Sequence, residues 1–216
     1  MAAVVFLLVA CSQQEYAGPG RSREKPSPAF SSKTNPLLRS GDLIFQKSRS
    51  RQSAAIRAVT GSDYTHMGIL LVEKNKVLVF EAVQPVKLTP LSRWAARGKG
   101  GHYVVMRLKE AEKRLTPDTL ARLRQEGLRH KGKAYDLVFD WSDREMYCSE
   151  LVWKMYKRAL GIEIGAPQRW SELDLSAPAA RRLAEKRLGK LPDPDGLVIT
   201  PIRMMDSPLL TKVVSQ

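Results

Sequence analysis

An α+β fold, with an antiparallel sheet packed on a helix that begins at a cysteine, is predicted by three features of this 216-residue sequence. Two apolar runs, HMGILLVE from His66 and VLVFEAV from Val77, flank the polar turn Lys74-Asn75-Lys76 and read as a hairpin. Their mostly apolar character implies strands buried on both faces. GHYVVMRL, Gly101 to Leu108, alternates as a third strand, and YCSELVWKMYKRALG carries an apolar face at helical spacing.

In chain order, Gly41-Asp42 turns into a short strand, Leu43 to Gln46, and Gln52 to Thr60 is a helix stopped by Gly61. The hairpin follows and ends by Pro85, and Pro90 to Arg97 starts a short helix before Gly98. Thr116 to His130 is a helix with Thr116 as N-cap and Pro117 at its first position. Gly132 to Asp136 breaks the pattern. The helix from Cys148 presents Leu151, Val152, Met155, Tyr156 and Leu160 to the core and stops at Gly161, which makes it the central element. Pro178 to Leu188 is a basic helix, and Gly196 to Pro201 the last predicted strand. The four tryptophans, Trp94, Trp141, Trp153 and Trp170, read as core anchors.

Hydrophobic content of 43% with 27% charged residues is that of an ordinary globular chain, long enough for one well-buried domain over 36–216 plus a tail. Residues 1–11, MAAVVFLLVAC, form an apolar run too short to span a bilayer, ending in small residues before Cys11. This pattern resembles the lipobox of bacterial lipoproteins, though it lacks a basic n-region. It predicts lipidation at Cys11, with Ser12 of the type that permits outer-membrane sorting. Residues 12–35 are rich in Ser, Pro, Gly and charge and read as a tether. The expectation is a protein of the cell envelope, on the periplasmic side, held to the membrane by an N-terminal lipid. The net charge of +14 fits an anionic partner or a solvated surface. No basic motif interleaved with aromatics, metal-ligand spacing or phosphate loop is present, so neither nucleic acid, metal nor cofactor is expected.

With Cys11 in the leader, Cys148 is left as an unpaired thiol. A cysteine at a helix start feels the positive end of the helix dipole, and a nearby imidazolium lowers its pKa further. A buried, inert core cysteine is the alternative. Tyr147, Ser149, Glu150 and the His66 segment favour the reactive reading, because a cysteine on a helix facing a histidine on a sheet is the arrangement of papain-like thiol chemistry. Here the histidine strand precedes the cysteine helix, the reverse of papain's order, which points to a circular permutation. His102 and His130 are read as surface or satisfied side chains.

The blocks SGDLIFQ, YTHMGILL, VFEAVQPV, GKAYD and YCSELVW, spaced between Ser40 and Ser207, resemble the circularly permuted branch of the NlpC-type cysteine peptidase superfamily, specifically the YiiX/YebB-like hydrolases. The resemblance implies Cys148 as nucleophile, His66 as general base and then acid, and Glu81 as the residue that orients His66. Hairpin arithmetic leaves the third position open. A two-residue turn at Asn75-Lys76 puts Glu81 across from Leu70, about 13 Å along the strand from His66. One more turn residue would put Gln84 opposite His66 instead. Tyr64, Tyr135 and Tyr147 are candidates to line the substrate cleft.

These readings predict a thiol hydrolase that cleaves an amide bond of a cell-wall or other peptide. A lipid acyl hydrolase or acyltransferase of the same fold, and a non-catalytic module binding an amine or amino acid, are the alternatives.

Overall fold

A computed structural model describes residues 35–50, 52–74, 76–189 and 191–216. The predicted signal segment with Cys11, and the tether up to residue 34, lie outside the described residues. The chain runs β1 (Leu43–Ser48), α1 (Ser53–Thr60), β2 (His66–Glu73), β3 (Lys76–Glu81), β4 (Lys87–Pro90), α2 (Leu91–Ala96) and β5 (Gly98–Leu108). It continues with α3 (Ala111–Arg114), α4 (Pro117–His130), α5 (Cys148–Leu160), β6 (Gln168–Arg169), α6 (Pro178–Leu188), β7 (Leu197–Val198), α7 (Pro201–Met205) and β8 (Leu210–Ser215).

Six strands form an antiparallel sheet in the order β4-β3-β2-β1-β5-β8. Both faces are covered, which is why β2 reads as a nearly unbroken apolar run. On one face Leu43, Phe45, Met67, Ile69 and Leu71 pack with Leu151, Val152 and Met155 of α5, and α4 adds Leu123. The alternate residues Ile44, Leu70, Val79 and Val105 pack with Trp94 and Ala95 of α2. Two hydrophobic cores therefore share one sheet, and the period of two decides which residue enters which core.

The caps fall where the sequence places them. Gly61 and Gly161 close α1 and α5 in the left-handed conformation, at φ 63° and φ 70°. The Thr116 hydroxyl accepts the Thr119 N–H at the start of α4.

Five elements escape the sequence reading: β4, α3, β6, α7 and β8. The predicted strand over 196–201 shrinks to Leu197–Val198, which pairs with β6 outside the main sheet. Thr200 ends it by capping α7, its hydroxyl accepting the Arg203 N–H. In the hairpin Glu73 pairs with Lys76, so the turn lies one residue earlier than expected. Because each turn position counts twice in an antiparallel register, Glu81 moves two places and comes level with Gly68 rather than Leu70.

Candidate active site

Cys148 opens α5, and the start of that helix is pinned from several sides. The Ser149 hydroxyl donates to the Ile199 carbonyl at 2.7 Å, and the Ile199 N–H donates to the Tyr147 hydroxyl at 3.1 Å. The Glu150 carboxylate accepts the Tyr147 N–H at 3.3 Å and is paired at 2.7 Å with Lys154, one turn along the helix. Lys154 is itself buried, and its ammonium also donates to the carbonyls of Trp141 and Ser142 and to Asp143. Glu150 is thus more than a carboxylate placed for the helix dipole. Burial lifts it to about 7 in spite of Lys154.

His66 is the first residue of β2, on the sheet face of Leu70 and α2, and its ring lies over Trp94 with 5.9 Å between centroids. Cys148 comes from the opposite core. They meet at the end of the strand, where the His66 side chain and the backbone N–H groups of Met67 and Ser149 act on the sulfur and favour its thiolate form. His66 Nε2 is occupied by Glu81 Oε2 at 2.7 Å, which leaves Nδ1 for the sulfur.

Glu81 reaches His66 diagonally from β3, across a position held by Gly68. A Cβ at residue 68 would stand 2.5 Å from Val79 Cγ1 and 2.7 Å from the Phe80 carbonyl oxygen. The close approach of the two strands at this point requires glycine. The second carboxylate oxygen of Glu81 accepts from Thr89 Oγ1 at 2.6 Å and from the Arg97 guanidinium.

Glu81 is fully buried, His66 is 8% exposed and Cys148 3%. Burial opposes every charge in this cluster, and in each case the partners prevail. It would raise the Glu81 carboxyl, but His66, Thr89 and Arg97 bring it down to about 2. It would lower the imidazole, but Cys148 and Glu81 hold it at about 9. It would raise the thiol, but His66 and the backbone N–H groups of Met67 and Ser149 bring it below its ordinary value. Each shift runs toward the charged form: thiolate, imidazolium and carboxylate.

Two clefts meet here. On the Cys148 side an apolar slot runs between α1, α6 and the 135–139 segment, with about 720 Å³ of empty space, its open mouth included. On the His66 side a wider, polar cleft is lined by Gln46, Ser48, Arg49, Gln84 and Arg97. Tyr135 and Leu137 border both.

Of the three tyrosines, Tyr135 stands between the clefts with its hydroxyl accepting from Gln52 Nε2 at 2.7 Å. Tyr147 turns its ring to the apolar slot, its hydroxyl engaged by Ile199. Tyr64 lines neither cleft: its ring sits by His102 and Lys47, beside a shallow depression near Arg57 and Ile202. Gln84 borders the polar cleft, but its Oε1 accepts the Tyr135 N–H at 2.6 Å, so it does not stand behind His66. Thr89, Arg97 and Trp94 were not singled out from sequence as neighbours of the cluster. No local signal marks them, since each arrives through the pairing of β4 or the packing of α2.

A cysteine at a helix start, a histidine at a strand start and a sheet that precedes the helix define a permuted papain-like protein. Residues 37–214 match the model of the permuted papain-like amidase family, YaeF/YiiX or C92, and the chain belongs to that family. It is 44% identical over 176 residues to the uncharacterized protein YiiX of Escherichia coli K12, covering 82% of this chain and 86% of that one. The crystal structure of the metalloprotein yiiX from Escherichia coli O157:H7 superposes with a TM-score of 0.78 at 44% identity, covering 83% of this chain and 98% of that one. The α+β fold is the permuted papain-like fold of that structure, and the family is one of amide hydrolases.

Proposed function

We propose that Cys148, His66 and Glu81 form a catalytic triad that hydrolyses an amide bond by way of a thioester. The observation that carries this reading is the position of His66, hydrogen-bonded to Glu81 and close enough to Cys148 to lower its thiol pKa. The thiolate adds to the amide carbonyl, the imidazolium gives its proton to the leaving nitrogen, and the C–N bond breaks. Water, deprotonated by the now neutral His66, then attacks the thioester, and Cys148 leaves as thiolate. Glu81 fixes the ring and stabilises its charged form throughout. The N–H at the start of α5 is the natural donor to the oxyanion.

A cell-wall or other peptide is the substrate expected from sequence. The apolar slot beside the sulfur speaks for the second reading, an acyl substrate of lipid character. Among the described residues no three His, Cys, Asp or Glu side chains stand close enough to hold a metal ion. The metal implied for the Escherichia coli metalloprotein yiiX finds no matching donor set among the described residues, and no step is routed through a metal. Lipidation at Cys11 and residence in the cell envelope belong to the same proposal. No helix among the described residues is long and apolar enough to cross a membrane, which leaves the lipid as the proposed anchor.

The test is alkylation by iodoacetamide between pH 5 and 9, read by mass spectrometry, with Cys148→Ala as control. The triad requires labelling of Cys148 below pH 7 at a rate that an unfolded sample does not reach. A thiol that reacts no faster than the unfolded control contradicts it and favours a binding module. Mass spectrometry of the mature N-terminus tests the anchor, and an unmodified Cys11 in a chain that retains Met1 refutes it.

A further inference from the structure

A net charge of +14 admits an anionic partner or a solvated surface, and the two differ in where the cations sit. Over α4 and α5 many are neutralised locally: Arg124 pairs with Glu73, Arg129 with Glu126, and Arg158 with Asp143. At the end of the sheet, beside the His66 cleft, the balance is different. Ser48 of β1 pairs with Gly98 of β5, which brings Lys47 and Arg49 close to Arg97 and Lys99. Lys99 stands exposed where β5 departs from the register of β1, next to Gly100 and Gly101 at φ 66° and φ 71°. A Cβ added at either glycine would meet nothing within 4 Å, so this loop projects into open space. Arg49 Nη2 donates at 2.9 Å to the Ala96 carbonyl, and Arg97 reaches Glu81 with its side chain still 42% exposed.

One exposed carboxylate, Asp63, meets this group. Lys47 donates to it at 2.8 Å, and Arg57 and Lys99 act on it from further off. Within this set Lys47, Arg49, Arg57, Arg97 and Lys99 are opposed only by Asp63 and the buried Glu81. Tyr64 belongs to the same belt: the Lys47 ammonium lies 5.8 Å from its ring centroid, and its hydroxyl meets His102 Nε2 at 3.4 Å. Leu137 stands 50% exposed at the rim of the His66 cleft. Acids resume beyond it, at Asp140 and Glu145, which border a separate depression.

We infer that this face docks on a bilayer containing anionic lipid, with Lys47, Arg49, Arg57 and Lys99 against the phosphates and Leu137 entering the headgroup layer. A half-exposed leucine and a tyrosine gain from a boundary between water and hydrocarbon, and gain nothing from a hydrated polyanion. Single-stranded nucleic acid would call for a row of stacking aromatics among the cations, and the described residues of this face supply only Tyr64. The His66 cleft then opens toward the headgroups. The contact is independent of any lipid on Cys11, and of the chemistry at Cys148.

The experiment sediments the full chain carrying Cys11→Ser with vesicles of phosphatidylcholine alone, or with about one third phosphatidylglycerol. The anionic vesicles should bind at least about 20-fold more tightly in 0.1 M salt, and the difference should fade toward 0.5 M. Each cation near such a surface is worth about fivefold in binding, so Arg57→Glu with Lys99→Glu should weaken it by about 25-fold or more. Arg122→Glu with Lys131→Glu on α4 makes the same change in net charge and should cost less than about threefold. Leu137→Ser should weaken binding to both kinds of vesicle. Iodoacetamide labelling of Cys148 at the unsubstituted rate shows that a variant is folded and its thiol intact, which separates this surface from the hydrolase reading. An α4 pair that costs as much as Arg57→Glu with Lys99→Glu overturns the inference, because net charge alone would then account for binding. Binding of the unsubstituted chain that ignores salt and headgroup charge overturns it whatever the variants do. So does equal affinity for polyglutamate or a single-stranded oligonucleotide, which would mark a site for soluble polyanions.

Discussion

Replacing Glu81 by glutamine keeps the shape of the side chain and removes its charge, and the surrounding donors decide the result. Thr89 Oγ1 and the Arg97 guanidinium both donate to one carboxylate oxygen. In Glu81→Gln they hold the amide oxygen there, so the NH₂ group turns toward His66 Nε2. Two donors cannot share that bond. His66 is then favoured unprotonated at Nε2, and the imidazolium is destabilised. The imidazole titrates at about 9, although burial alone would take it below its ordinary 6.5. An opposite charge in contact moves a pKa by about one to three. Loss of the carboxylate should lower the imidazole by about one to two pH units and with it the share of Cys148 thiolate near neutral pH. At about 1.4 kcal/mol per unit, the thiolate–imidazolium pair becomes roughly 10- to 100-fold less populated. The assay is the pH dependence of iodoacetamide labelling, which needs no substrate. Glu81→Gln should be at least as impaired as Glu81→Ala, because the amide opposes the imidazolium while a void merely fails to support it. Labelling of Glu81→Gln near pH 7 at the rate of the unsubstituted protein would refute the argument.

Other consequences follow from the same contacts. Gly68→Ala places a methyl group 2.7 Å from the Phe80 carbonyl oxygen; it should cost about 1–3 kcal/mol in urea unfolding and lower Cys148 labelling near pH 7 as Glu81→Gln does, by forcing β3 away from His66. Lys154→Met leaves the buried Glu150 and two carbonyls without their ammonium. A loss of about 3 kcal/mol is expected in the same assay at pH 8, and a smaller one at pH 5, where Glu150, held at about 7, takes up a proton. Glu81 has its folded pKa depressed to about 2, so the stability it contributes is present above 4.5 and is lost as pH falls toward 2. His66 has its pKa raised to about 9, so its contribution is complete below 6.5 and is lost as pH rises through 9. Each corresponds to about 3 kcal/mol, much of it the same bond seen from both ends. Thermal melts between pH 3 and 10 should therefore fall at both extremes, and Glu81→Gln should flatten the alkaline fall.

Cys148 and His66 were legible because local sequence marks both: a helix start for one, the entry to an apolar strand for the other. The contact with Glu81 was not, because it depends on a turn whose position shifts the register by two for every residue. The edge strand β8 escaped for a related reason. Val105 pairs with Val214 but Met106 with Lys212, so a bulge at Val213 interrupts the alternation that would have announced a strand. Strand β4 is four residues long and ends in proline, too short for a period to show. Arg97 and Thr89 act on Glu81 through tertiary packing alone, and a pattern read along the chain carries no trace of that.

The burial of the sulfur ties the site's chemistry to its shape. A thiol 3% exposed among apolar neighbours should stay protonated, since burial raises its pKa. Three groups work against that and lower it instead: the imidazole and the N–H groups of Met67 and Ser149, with the positive end of α5 behind them. The same lack of water that makes a lone thiolate costly strengthens its attraction to His66, because the effective dielectric is low for both effects. Opening the slot to solvent should therefore weaken the ion pair. Leu183→Asp at the wall of the slot tests this: labelling of Cys148 by iodoacetamide at pH 6 should fall, and labelling at an unchanged rate would show that the slot does not shield the pair.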